Sequence, residues 1–191
     1  ALEKEAKPVR VITGSARGMR LRSPEGRDVR PTGEKTKEAV FSILQNEIEG
    51  ASVLDLFAGS GQLGIEALSR GAAHCTFVER DRRYAALVRE NLSHTRLEER
   101  AEVYQGDCMA FLGIPCGPFD IALLDPPYRQ GLLERALPLA AKVMRPGGVI
   151  VCETAVDEDP PDTAGDFRRA REYRYGKTKI TLYRQDGEAV S

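Results

Sequence analysis

Apolar and polar positions along this chain follow two periods that take turns. From residue 51 onward, the short runs "SVLDLF" (52–57), "CTFVE" (75–79), "AEVYQ" (101–105), "FDIALLD" (119–125) and "GVIVCE" (148–153) read as strands. Between them "QLGIEALSRG" (62–71), "RRYAALVRENLSH" (82–94) and "GLLERALPLAAKVM" (131–144) space their apolar residues as helices do, and "CMAFLG" (108–113) has room for little more than one turn. Strands that are apolar almost throughout, separated by helices, predict a parallel, doubly wound α/β sheet. The end of the chain differs. "RRAREYRY" (168–175) and "KTKITLYRQ" (177–185), joined at Gly176, predict an antiparallel pair closing one edge, and "DEDPPDTAGD" (157–166) before them a polar loop. That makes seven strands, mostly parallel, with an antiparallel edge hairpin.

The first fifty residues do not join this alternation. "VRVITGSARGMRLRSP" (9–24), with Gly14 and Gly18, predicts a small β-hairpin. "RPTGEKTKEAVFSILQNEI" (30–48) predicts a helix with Thr32 as its N-cap and Ala39, Val40, Ile43, Leu44 and Ile48 on its apolar face. The expected organisation is a disordered leader over 1–8, a hairpin and helix over 9–50, and the main α/β domain over 51–191. No internal repeat and no second hydrophobic core is evident.

Composition narrows the class. The chain has 191 residues, 41% hydrophobic and 30% charged, which suits one compact domain with a small appendage. No apolar stretch approaches the ~18 residues a membrane helix needs, and the start lacks an apolar signal core, so a cytoplasmic, membrane-free protein is expected. Cys75, Cys108, Cys116 and Cys152 are scattered, with only His74 and His94 beside them, so reduced thiols are expected and no metal site. Charge is uneven within a net of −1. Between residues 10 and 37, Arg10, Arg17, Arg20, Arg22, Arg27, Arg30, Lys35 and Lys37 face Glu25, Asp28 and Glu34, so 8 − 3 = +5 and the remainder is −1 − 5 = −6. Such a segment marks a contact face for a polyanion or, more plainly, a solvated surface.

The candidate chemistry sits after the strands. In "VLDLFAGSGQLGIEAL", Gly59, Gly61 and Gly64 satisfy G-x-G-x-x-G, and Glu79 ends the next strand twenty residues after Gly59. Read literally this is a dinucleotide fingerprint, and an NAD-linked oxidoreductase is one reading. Asp55, four residues before the first glycine, argues against a pyrophosphate and for a ligand with a positive end, such as the ammonium and sulfonium of S-adenosylmethionine. Glu79 could then accept from ribose hydroxyls and Asp107, in "GDCMAF", from an adenine amine near the Cys108 backbone. The plain alternative is that glycines close tight turns and acids cap helices. At the end of the fourth strand stands "DPPY". Pro126 holds Asp125 extended, and neither Pro126 nor Pro127 has an N–H to donate. The Asp125 carboxylate and Pro126 carbonyl thus form paired acceptors suited to an exocyclic amine, with Tyr128 to stack on a flat base.

These motifs together, "LDLFAGSGQLGIEALSRGA", "VERD", "GDCMAF" and "DPPY", preceded by "RVITGSARGMRL" and "RPTGEKTKEAVFSIL", resemble the bacterial small-subunit ribosomal RNA guanine-N2 methyltransferases over roughly residues 9–185. The resemblance implies a class I, Rossmann-like, S-adenosylmethionine-dependent fold. It implies a catalytic loop of Asp125, Pro126, Pro127 and Tyr128, and cofactor contacts from Arg30, Thr32, Asp55, Phe57, Ala58, Gly59, Ser60, Gly61, Glu79, Arg80, Asp107 and Cys108. The implied substrate is a guanine of 16S ribosomal RNA in an assembled or assembling small subunit, acted on by a monomer. Arg10, Arg17, Arg20, Arg22 and Lys35 would then hold RNA phosphates. Ser15 and Gln62 stand where glycine and a small residue are commoner in that family, and Gly33 follows the Arg-Pro-Thr. Adenine-N6 methylation of DNA shares the tetrapeptide and remains the nearest alternative. A silent RNA-binding module would leave "DPPY" without a purpose.

Overall fold

A computed structural model of the chain describes residues 8–23 and 33–185. Five parallel strands, β1 (Ser52–Asp55), β2 (His74–Glu79), β3 (Ala101–Gln105), β4 (Phe119–Leu124) and β5 (Met144–Ala155), are followed by three antiparallel ones, β6 (Thr163–Ala164), β7 (Phe167–Tyr175) and β8 (Thr178–Gln185). All eight form one sheet in the order β3-β2-β1-β4-β5-β8-β7-β6. The helices α1 (Glu34–Ile43), α2 (Gln62–Ser69), α3 (Arg82–Thr95), α4 (Cys108–Leu112) and α5 (Leu132–Lys142) fill the links.

The two-residue period of the strands decides which layer each side chain enters. Val53, Ile121 and Val151 point to one face, where they meet Val40, Phe41, Leu68 and Leu92 from α1, α2 and α3. Leu54, Ala122 and Ile150 point to the other, against Phe111, Leu112, Leu137 and Ala140 from α4 and α5. β1 pairs with β2 on one side and with β4 on the other. Chain order therefore reverses between β1 and β4, and the carboxyl ends of those strands flank the crevice where ligands bind in such sheets. The eighth strand, β6, lies inside the segment expected to be a loop. Two residues are too few to show a period.

The N-terminal hairpin is present in outline but not as a ladder. Arg10 and Arg20 form a single antiparallel bridge, supported by Val11 N–H to Met19 C=O and Leu21 N–H to Val9 C=O. Four other donors turn to α2 instead. Ile12 and Thr13 N–H bond the two oxygens of Glu66, at 2.9 and 3.0 Å, Ser15 N–H bonds the Ser69 carbonyl, and Ala16 N–H bonds Ser69 Oγ. Gly14 is required here: its φ is +93°, and a Cβ would lie 1.8 Å from the Ser69 carbonyl oxygen. Glu66 is fully buried and also meets Arg70 at 3.0 Å and Lys37 at 3.6 Å. Lys37, one of the eight cations of the basic segment, is thus a core residue whose Nζ donates to the Arg10 carbonyl. The helix expected from Thr32 starts one residue later, with Gly33 as N-cap, a position where glycine costs little. Residues 1–7 of the expected leader, Arg30 and Thr32 lie outside the described residues. No helix among the described residues is long and apolar enough to cross a membrane.

Candidate active site

The turn after β1 is built from its own backbone and its neighbours. Gly59 and Gly61 take positive φ, +56° and +84°, which side-chain-bearing residues rarely adopt. Gly61 N–H bonds the Ala58 carbonyl, Ala58 N–H reaches Val78, and Gly61 caps α2. A Cβ on Gly64 would sit 2.3 Å from the Phe77 ring, so this glycine lets α2 lie on β2. A Cβ on Gly59 would meet no protein atom within 4 Å. What it would enter is a groove of about 1180 Å³, lined among others by Phe57, Ala58, Gly59, Ser60, Glu79, Arg80, Asp107, Cys108 and Asp125 to Tyr128. Single-ligand pockets run to roughly 1,000 Å³. The groove therefore has room for a nucleoside-sized ligand and part of a second one.

The acids around the groove are partly committed. Asp55 is buried behind the turn rather than open at its mouth. Its Oδ2 accepts from Gly64 N–H at 3.0 Å, and its Oδ1 has no hydrogen-bond partner among the described residues. Burial, opposed by the Gly64 N–H and helped by the charges of Asp125 and Glu79, pushes the Asp55 carboxyl up to about 7. Glu79 Oε2 accepts from Gly59 N–H and Oε1 from Asp81 N–H, both at 2.8 Å, and burial raises its pKa too. Each oxygen keeps a lone pair for a ligand hydroxyl. Asp107 is the N-cap of α4, its Oδ1 taking Met109 and Ala110 N–H at 2.9 and 3.0 Å, while Cys108 is buried at the groove wall. Capping thus engages Oδ1 of Asp107, on a residue that also lines the groove. A backbone cradle at Gly59, uncommitted lone pairs on Glu79 and the Gln62 Oε1, a buried acceptor with no hydrogen-bond partner among the described residues, all line the groove and fit a ligand carrying an ammonium and a ribose, while Asp55 lies behind that lining.

Asp125 follows β4 directly, half-buried at the groove, with Pro126 and Pro127 beside it. The loop is anchored beyond them. Tyr128 Oη donates to Glu153 at 3.3 Å on β5 and lies 3.5 Å from Thr178 on β8. Arg129 has φ +58°, rare for a residue with a side chain. Its N–H donates to Glu158 Oε1 at 2.6 Å and its Nη2 to both Asp157 oxygens at 2.8 Å, while Glu158 Oε2 takes the Ala155 N–H. None of Arg129, Asp157 and Glu158 was expected from the sequence. They sit in a stretch whose polarity reads as ordinary loop.

The five cations expected on an RNA face are all exposed. Arg10 pairs with Glu34 and Arg22 with Glu90, at 2.9 and 2.8 Å. Arg17, Arg20 and Lys35 have no ion-pair partner among the described residues. Buried Asn91 joins this segment to the glycine turn, bonding the Arg22 N–H and carbonyl and the Ser60 carbonyl. The cysteines are free thiols, three buried and Cys116 half-buried.

The family model described as Conserved hypothetical protein 95 matches residues 9–184. A candidate rRNA methyltransferase of Bacillus subtilis (strain 168), YlbH, is 39% identical over 184 residues, 94% of this chain and 100% of that protein. The Ribosomal RNA small subunit methyltransferase D of Escherichia coli (strain K12) is 35% identical over 185 residues, 96% of this chain and 93% of its own length. A solved structure, a candidate methyltransferase named yhhF from Escherichia coli, superposes with a TM-score of 0.84 at 35% identity, covering 95% of this chain and 99% of that one. With relatives this similar over nearly its whole length, the chain belongs to the family of the ribosomal RNA small subunit methyltransferases D.

Proposed function

We propose that the protein methylates the exocyclic N2 amine of a guanine in 16S ribosomal RNA, with the base flipped out of its stack onto the Asp125–Tyr128 loop. Methylation of ribosomal RNA is what the relatives' names carry, and in this reading S-adenosylmethionine is the methyl donor. When bound, that cofactor supplies an electrophilic methyl group on a sulfonium. The observation that carries the finer reading is the position of Asp125 and Pro126 on the same groove as the glycine turn, at the two strand ends where chain order reverses.

Asp125 and the Pro126 carbonyl would each accept one N–H of the amine, which orients the nitrogen lone pair. The Asp125 carboxylate would also stabilise the positive charge that builds on nitrogen as it attacks, an interaction stronger in the transition state than before it. Tyr128, with its hydroxyl tied to Glu153, would stack the base by its ring face. Gly59, Ser60, Glu79, Arg80, Asp107 and Cys108 would hold the nucleoside part of the cofactor, with Asp55 and Gln62 behind its charged end; Gln62 Oε1 is a second buried acceptor with no hydrogen-bond partner among the described residues. Arg30 and Thr32 belong to the same proposal on the resemblance alone. Arg17, Arg20 and Lys35, with Arg10 and Arg22 exchanging their carboxylates for phosphates, would set register on a small subunit or its assembly intermediate. In this reading residues 9–50 are the RNA-facing part and 51–191 the transfer domain, acting as a monomer.

The test is a labelled-methyl assay on small subunits from cells lacking the enzyme, followed by nucleoside analysis. N2-methylguanosine is expected. Label in N6-methyladenosine, or in DNA and not in RNA, would overturn the proposal in favour of the adenine reading.

A further inference from the structure

The groove is lined by the N-terminal segment, through Leu21, Ser23 and Gly33, and also by the turn between β7 and β8, through Tyr175 to Thr178. That turn belongs to a second basic segment. Residues 167–179 hold Arg168, Arg169, Arg171, Arg174, Lys177 and Lys179 against Glu172, so 6 − 1 = +5. Two of these cations are turned to structural use. Arg169 reaches Asp159 and Asp162 at 3.0 and 3.3 Å, and Lys179 is buried 3.7 Å from Glu172. Arg171 and Lys177 are exposed and have no ion-pair partner among the described residues.

The tip is registered on the Asp125–Tyr128 loop. Tyr175 and Thr178 are paired across a two-residue connection, with Gly176 at φ +59° in the first place, as a tight hairpin turn requires. Thr178 is buried and lies 3.5 Å from Tyr128 Oη. Tyr175 and Lys177 both line the groove, Tyr175 half-buried against the core. An aromatic ring and a cation on one tight turn are what single-stranded RNA is held by: a platform for a base and a charge for the backbone.

We propose that the Tyr175–Lys177 turn is a second RNA-contacting element, in addition to the N-terminal segment. Lys177 takes a backbone phosphate, and Tyr175 stacks on a base next to the one being methylated. The proposal rests on the rRNA reading given above. A different role for these cations is to keep a sheet edge from pairing with other chains, since β6 covers only Phe167 and Arg168 of β7. That role predicts aggregation and leaves RNA affinity alone.

The experiment uses the full chain carrying Lys177→Ala, Tyr175→Ala or Tyr175→Phe. It measures kcat and KM on small subunits from cells lacking the enzyme, across a salt series, with S-adenosylmethionine binding by calorimetry. Lys177→Ala should raise KM several-fold and lower the slope of log affinity against log salt by about 1. Tyr175→Ala should raise KM by roughly tenfold, and Tyr175→Phe should restore it. Cofactor affinity should stay within twofold. Unchanged KM and salt slope in Lys177→Ala, with only more aggregation, would overturn the proposal, as would a loss confined to cofactor affinity. Should the wild-type protein methylate no ribosomal RNA, the underlying reading fails, and the salt slope of RNA binding by the same variants, read by gel shift, still decides the role of the turn.

Discussion

Two loops meet at the groove, and they are held in opposite ways. The glycine turn after β1 is fixed from within and from the adjoining strand: Gly61 on Ala58, Ala58 on Val78, Gly59 on Glu79, Gly64 on Asp55. Its conformation needs the missing side chains of Gly59 and Gly61. The proline loop after β4 has almost no donors of its own and is fixed from outside. Tyr128 and Arg129 tie it to Glu153, Asp157 and Glu158, residues 25 to 29 positions later in the chain. A loop held locally should fail as a fold when altered, with binding lost as a consequence. A loop held at a distance can lose its aim while the fold and the cofactor site stay intact.

The sharpest break is predicted at Asp125. Asp125→Ala removes one of two proposed acceptors and the nearest anion to the developing charge, so single-turnover methyl transfer should fall on the order of 10³-fold. Calorimetric affinity for S-adenosylmethionine should hardly change, because the glycine turn is untouched. A wild-type transfer rate in this variant would remove the acceptor role altogether. The matching break beside the other loop is Gly64→Ala, in the first turn of α2. Its Cβ would come 2.3 Å from Phe77 and 2.8 Å from Cys75 Sγ, both fully buried. Overpacking of this kind costs about 1–3 kcal/mol, and thermal melting should show a loss of several degrees with weaker cofactor binding. An unshifted melt would mean that α2 can move off β2 freely.

The same contrast explains what could be read from the sequence. The parallel strands, the glycine turn and Asp125 were legible because each is a local signal: a period, a residue type with a special φ, an acid that ends an apolar run. The groove-lining positions of Glu79, Asp107 and Cys108 followed from strand order alone. Distant support was not legible. Nothing near Arg129 marks it for a positive φ, since only the contacts of Glu158 and Asp157 across the sheet fix it there. The N-terminal hairpin has alternation enough for two strands, yet Glu66 and Ser69 on α2 draw off its backbone donors. Lys37 counts as surface charge in any sum over the segment, and the distant Arg10 carbonyl and buried Glu66 explain why it lies inside. Two-residue β6 is below the length at which a period exists.

A smaller effect separates the loops by pH. Asp55, behind the glycine turn, has its carboxyl pushed up to about 7, by burial first, with Asp125 and Glu79 adding to it. Between about pH 4 and pH 7 the folded protein keeps this proton while the unfolded chain has lost it. Raising the pH through that window therefore favours unfolding, and the contribution of Asp55 to stability falls as it is crossed. Thermal melts of the cofactor-free protein should show this decline, and Asp55→Asn should flatten it. A variant whose pH profile matches the wild type would place the decline elsewhere. A bound ammonium favours the ionised carboxylate, so cofactor affinity should rise over the same range, and do so less in the variant.

The least disruptive change tests the external support directly. Glu158 is half-buried and accepts two backbone N–H groups, one from Arg129 at the exit of the catalytic loop and one from Ala155 at the end of β5. The Arg129 bond helps to hold a backbone conformation that costs about 1–2 kcal/mol in a residue with a side chain. Without it Arg129 can relax to negative φ, and Tyr128 and Asp125 shift with it. A displacement of about 1 Å at a reacting group is worth up to 10²-fold in rate, and the Tyr128 and Asp157 contacts remain, so roughly tenfold is expected for Glu158→Ala. The loss should appear in the transfer step, with cofactor affinity unchanged and the melting temperature lowered only slightly. Glu158→Gln keeps one carbonyl oxygen to accept the Arg129 N–H and should recover most of the rate. If Glu158→Ala instead weakened cofactor binding as much as transfer, the two loops would be one mechanical unit, and the distinction between internal and external support would not hold.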